Sequence, residues 1–114
     1  MRPKDKVSNK LRTSTDGIAL GDHICSLLPG RDRHGIYAGG CEVVCYAGGV
    51  IVQVPLDTFA GGSAIDIRPD KSEYTAAEIV RRAKSMMEAG ADFEFVSGEH
   101  FCKWCRRGPL PVTQ

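Results

Sequence analysis

The stretch Val96-Ser97-Gly98-Glu99-His100-Phe101-Cys102-Lys103-Trp104-Cys105-Arg106-Arg107-Gly108 reads as one helix with both of its ends marked. Ser97 suits the N-cap, where its hydroxyl accepts an orphan N–H of the first turn. Arg106 and Arg107 oppose the negative C-terminal end of the helix dipole. Gly108 can take a left-handed cap conformation, and Pro109 cannot continue the helix. Phe101, Cys102, Trp104 and Cys105 recur at helical spacing, so one face is apolar and needs a layer to pack against.

That layer lies upstream. Residues 21–28 read as a strand, and Pro29-Gly30-Arg31-Asp32 as a turn. Residues 33–38 and 41–47, joined through Gly39-Gly40, read as a hairpin. After Gly48-Gly49, residues 50–54 alternate as a further strand, Leu56-Asp57-Thr58-Phe59 as a turn or short helical piece, and residues 64–68 as a last strand. Thr75-Ala76-Ala77-Glu78 is a capping box. It opens a helix to about Ala89, with Ile79, Ala83 and Met86 on one stripe and Val80 and Met87 beside it. Strands first and helices later predict an α+β domain: an antiparallel sheet of about four to five strands with two main helices.

The 114 residues make one domain, with 42% hydrophobic and 25% charged residues and a net charge of +1. That balance gives no global field for nucleic acid or membrane. No stretch has the length of a membrane span, and no signal-peptide pattern opens the chain. Residues 1–17 carry Arg2, Lys4, Lys6, Lys10 and Arg12 and read as a basic flexible arm. The domain is expected over 18–108, and 109–114 as an exposed tail. Five cysteines do not pair evenly, which predicts buried thiols in a reducing, cytoplasmic setting.

Ser97-Gly98-Glu99-His100-Phe101 resembles the Asn-Cys-Glu-His-Phe box of the lecithin–retinol acyltransferase-like family, a permuted relative of papain-like cysteine hydrolases. Arg33-His34-Gly35-Ile36-Tyr37-Ala38-Gly39-Gly40 with Val43-Val44-Cys45 resembles its histidine box, and Gly21-Asp22-His23-Ile24 the strand that precedes it. The resemblance spans about residues 20–108 in order, and it implies a small permuted papain-like fold with the terminal helix packed on the sheet.

It also implies a catalytic set that has been replaced. The family's nucleophilic cysteine falls on Gly98, the asparagine before it on Ser97, the first catalytic histidine on Arg33, and the second imidazole on Cys45. Gly98 has no side chain that can attack a carbonyl. Ser97 has a hydroxyl one residue away, but the N-cap occupies it. Successive strand side chains alternate between faces, so His34, one step late, is expected to turn away from the old site and Arg33 toward it. Only a slipped register or bulge restores His34. An arginine stays protonated and cannot serve as a base. Cys45 can act as a nucleophile only with a base beside it, and otherwise is a small buried residue. Glu99 and His100 survive from the box and read as residues that set the helix.

The pair Cys102-x-x-Cys105 and the run Cys41-x-x-x-Cys45 have ligand-like spacing, but zinc pairs sit on knuckles and this pair lies within a helix. No metal or cofactor is expected. The paired glycines fall between strands with no Gly-Lys-Ser/Thr after them, so they serve turns and not phosphates.

The primary expectation is a catalytically degenerate domain of this family that acts as a binding or regulatory module for a protein partner. The family includes the 2A proteins of several picornaviruses, so its most specific form is a viral 2A protein engaging host factors in the host cytoplasm. The alternative is a working thiol acyltransferase or phospholipase-type hydrolase acting on an acyl lipid, with a rearranged or engineered site. An engineered Gly98 accounts for that position alone, and not for Arg33, Ser97 and Cys45 together.

Overall fold

The computed structural model describes residues 17–29, 33–89 and 95–108. The expected arm, apart from Gly17, and the expected tail lie outside the described residues. The elements, in chain order, are β1 (His23–Ser26), β2 (Arg33–Gly39), β3 (Glu42–Ala47), β4 (Val50–Pro55), α1 (Leu56–Ala60), β5 (Ile65–Arg68), α2 (Ala76–Ala89) and α3 (Gly98–Arg107). The five strands form one antiparallel sheet in the order β4-β3-β2-β1-β5. This is the α+β arrangement expected from the pattern.

The sheet is covered on both faces. Ile36 and Val44 face a layer made by α2 and α3, with Ile79, Ala83, Met86, Phe101, Cys102, Trp104 and Cys105. Ile24, Tyr37, Val43 and Cys45 face the other way, toward Leu56, Phe59 and Ala60 of α1. Phe59 and Phe101 are fully enclosed, one in each layer. Each such side chain contributes about 1.5–3 kcal/mol relative to exposure. The stripe expected on α2 is buried through Ile79, Val80, Ala83 and Met86, whereas Met87 is exposed.

The β2–β3 hairpin corrects one boundary. Cys41 is not in a strand. It sits in the turn with φ 63, beside Gly40 at φ 60. Two consecutive left-handed residues are what a two-residue hairpin loop requires to match strand twist. Cys41 is consequently exposed, while the other four thiols are buried, and none of the five is in a disulfide.

The ends of the helices are set by hydrogen bonds. Thr75 Oγ1 accepts from Glu78 N at 3.2 Å to start α2. Ser97 Oγ accepts from His100 N at 3.1 Å to start α3. The other end of α3 differs from expectation, because Gly108 is extended (φ −75, ψ 162) and not left-handed. Space explains the glycine: a Cβ there would meet Trp104 Cδ1 at 2.5 Å and Trp104 Cα at 2.8 Å.

Arg82 of α2 closes that end. Its guanidinium lies 4.2 Å from the Tyr74 ring centre and 4.0 Å from that of Trp104. It donates to the carbonyls of Trp104 (2.7 Å), Cys105 (3.0 Å) and Gly108 (2.8 Å). A buried cation thus sits where the helix dipole is negative and orphan carbonyls need donors. Arg106 reaches back to the carbonyls of Gly21 and Asp70, tying α3 to the start of the sheet.

Candidate functional site

The two strands β1 and β2 lie side by side with Cys25 opposite His34 and His23 opposite Ile36. On β1, Ile24 faces α1, and Ser26 donates its hydroxyl to Ala60 O there. Alternation therefore turns His23 and Cys25 to the α3 side. On β2, Tyr37 faces α1 and Ile36 faces α3, so His34 shares the α3 face with Ile36.

His34 thus points at the start of α3, and Arg33 does not. The expectation that the one-residue offset turns His34 away is corrected. The register irregularity of β2 lies between Tyr37 and Gly39, beyond Ile36, so the alternation through His34 and Ile36 is regular and no slip is needed. Arg33 instead donates to the carbonyls of Thr58 and Phe59 in α1, at 3.0 and 3.2 Å. Cys45 does not face the old site either: it belongs to the α1 layer with Val43 and Phe59, the small buried residue expected where no base stands beside it. Burial pushes its thiol up, and the nearby Arg33 charge only partly offsets this.

Gly98 lies over His34. A Cβ built at Gly98 would sit 3.5 Å from Cβ, N and O of His34, which is ordinary contact distance. The first residue of α3 is therefore packed against the backbone and Cβ of His34. Ser97 is engaged in its cap. Glu99 pairs with Lys103 at 3.3 Å on the surface. His100 accepts Val96 N–H at Nδ1 and packs edge-on against Phe95, so it sets the first turn.

Three residues without an assigned role, His23, Asp70 and Cys25, complete a chain of side chains with His34. His23 Nδ1 bonds Asp70 Oδ2. His23 Nε2 and His34 Nδ1 are 2.7 Å apart. Cys25 Sγ lies 4.0 Å from His34 Nε2. His23 and His34 are 0% and 3% exposed, so bulk water does not separate these groups. Burial raises the Asp70 carboxyl, but the hydrogen bond and charge of His23, then the charges of Lys103 and Arg106, bring it below the usual range. Burial lowers the His23 pKa, and Asp70 only partly restores it, while His34 and Arg68 lower it further.

These relations assign the protons. An ionised Asp70 accepts from His23 Nδ1–H, which leaves His23 Nε2 as acceptor. His34 Nδ1–H donates to it, so the lone pair of His34 Nε2 is turned to the Cys25 thiol. Cys25 Sγ–H donates to Ser26 O at 3.5 Å, and from His34 onward the chain His34–His23–Asp70 runs with a single donor direction toward the carboxylate. Such an arrangement can take a proton from the thiol and balance the resulting imidazolium.

The remaining thiols are differently placed. Cys102 and Cys105 are fully enclosed, and burial pushes both well above the ordinary thiol range. Among the described residues no three His, Cys, Asp or Glu side chains are grouped to hold a metal ion.

Asp70 has no marker in the sequence. His23 and Cys25 are two apart, a spacing that puts both on one strand face. Asp70 joins them only because β5 pairs with β1, His23 opposite Arg68. No family model matches the chain, and no curated protein matches it.

Proposed function

We propose that the chain is a catalytically degenerate domain of the lecithin–retinol acyltransferase-like kind, working as a binding or regulatory module for a protein partner. A viral 2A protein that engages host factors is its most specific form. The observation that carries the reading is Gly98: it stands over His34 with room for a side chain and supplies none. The helix start, where free N–H groups and the dipole favour a thiolate, therefore holds no sulfur.

Three of the buried thiols cannot substitute. Cys45 is on the far face of the sheet, and Cys102 and Cys105 are within the core with thiols held protonated by burial. Among the described residues no helix is long and apolar enough to cross a membrane.

The second reading, acyl transfer by a rearranged site, is favoured by one contact: Cys25 Sγ at 4.0 Å from His34 Nε2. The test is turnover. The purified chain is incubated with p-nitrophenyl butyrate and with phospholipid vesicles, and product is counted per chain. The module reading expects no release beyond one equivalent per thiol. Sustained release that disappears in Cys25→Ser replaces it with the second reading.

A further inference from the structure

We propose that Cys25 is a covalent modification site for small soft electrophiles, α,β-unsaturated carbonyls foremost, with His34 as its base. The assignment does not depend on the module reading, since a thiol can be modified once in an enzyme or in a binding domain.

The chemistry asks for three things, and one place in the molecule has them. A thiol must lose its proton, because the thiolate is the nucleophile. Cys25 is the one cysteine of the five with a described contact to an imidazole nitrogen, His34 Nε2 at 4.0 Å. The imidazole must be presented by the right nitrogen, and His23 Nε2 holds His34 Nδ1 at 2.7 Å to do so. The imidazolium must be offset, and Asp70 bonded to His23 supplies the charge.

The charged and titratable groups around the pair come from every neighbouring element. They are His23 on β1, Arg68 on β5, Asp70 after it, and Cys102, Lys103 and Arg106 on α3. Asp70 is the anion bonded into the chain itself, whereas Arg68, Lys103 and Arg106 act from its outer end.

The step balances without any further reactant. The Cys25 Sγ–H proton passes to His34 Nε2 as sulfur bonds the β-carbon of the electrophile. The carbon–carbon π bond breaks, and the proton is returned to the α-carbon. No leaving group departs, no water enters and no redox change occurs. Addition therefore needs only the single base that the site holds. Cys25 is 7% exposed, so the reagent must be small.

The test uses the full chain with Cys41→Ser, which removes the exposed thiol. It is treated with acrylamide at pH 7, and modification is mapped by peptide mass. Cys25 is expected to react ahead of Cys45, Cys102 and Cys105. His34→Gln should slow it by about a hundredfold or more, the low side of a positioned base. Asp70→Asn, at a less buried position, should slow it less.

On the unsubstituted pair, the labelling rate should persist below the free-thiol range near about 8.5. That profile decides the matter if His34→Gln does not fold. Modification of Cys25 only at the rate of Cys102 and Cys105, in step with unfolding, overturns the assignment. So does a rate unchanged in folded His34→Gln, or a profile that follows a free thiol. Turnover in the ester assay leaves this site standing and removes only the module reading.

Discussion

Replacing Arg82 with methionine keeps most of the side-chain stem and removes the guanidinium that closes α3. Three carbonyls, those of Trp104, Cys105 and Gly108, lose their donor. Hydrogen bonds to charged groups are worth about 1.5–3 kcal/mol each. The rings of Tyr74 and Trp104 lose a cation at 4.2 and 4.0 Å, each worth about 0.5–2 kcal/mol. Two effects oppose these losses. Arg82 Nη1 is buried with no hydrogen-bond partner, a cost of about 1–3 kcal/mol that the substitution removes. The charge also no longer has to be desolvated. The low ends of the favourable ranges, less that relief, leave a loss of about 2.5–4.5 kcal/mol, a large part of the total for a domain of this size. Urea unfolding followed by Trp104 fluorescence measures it, and Tm should fall by about 10–18 °C. Arg82→Lys should recover less than half, because an ammonium cannot serve three carbonyls in one plane. A loss below about 1 kcal/mol would show that water serves the helix end as well as the guanidinium does, and would refute the role given to Arg82.

Three further outcomes follow from the same geometry. Gly98→Ala should raise stability by about 0.5–1 kcal/mol, since its Cβ meets only ordinary contacts and the unfolded chain loses freedom; a lower denaturation midpoint would place an unrecognised constraint there. Gly35→Ala should cost about 2–3 kcal/mol, because its Cβ would lie 2.5 Å from Val43 Cγ1 and 3.0 Å from Phe59 Cε1; urea midpoints again report it. Acid should act in two windows. His23 has a folded pKa below its ordinary 6.5, so the unfolded chain binds that proton more readily and stability is lost as pH falls below 6.5. Asp70, lowered from 3.8, stabilises the fold above that value and its share is lost as pH falls further. A midpoint that stays flat from pH 7.5 to 5, or a first window that survives His23→Gln, would contradict the buried imidazole chain.

Much of the fold was legible because its signals are local. Thr75 and Ser97 announced their helices through side chains that bond the next turn. The apolar stripes of α2 and α3 have a period that only a helix satisfies. The faces of the strands were not legible. β2 and β3 are enclosed on both sides, so Ile36 and Tyr37, or Val43 and Val44, are equally apolar though they point oppositely. Alternation then carries no sign of which face is which. An offset from a family pattern therefore misdirects the facing of His34, Arg33 and Cys45, whereas packing of Ile36 against α3 decides all three. Gly108 failed for a related reason: a close approach to Trp104 and a left-handed cap both select glycine, and sequence does not separate them.

The proposed function rests on the start of α3, beside His34, having no nucleophile. The most direct measurement compares the unsubstituted chain with Gly98→Cys in the p-nitrophenyl butyrate assay, with product counted per chain. The account predicts no sustained release from the unsubstituted chain, and acylation of the new thiol at position 98 in the variant, dependent on His34. Sustained turnover by the unsubstituted chain, with no sulfur at position 98, would contradict it.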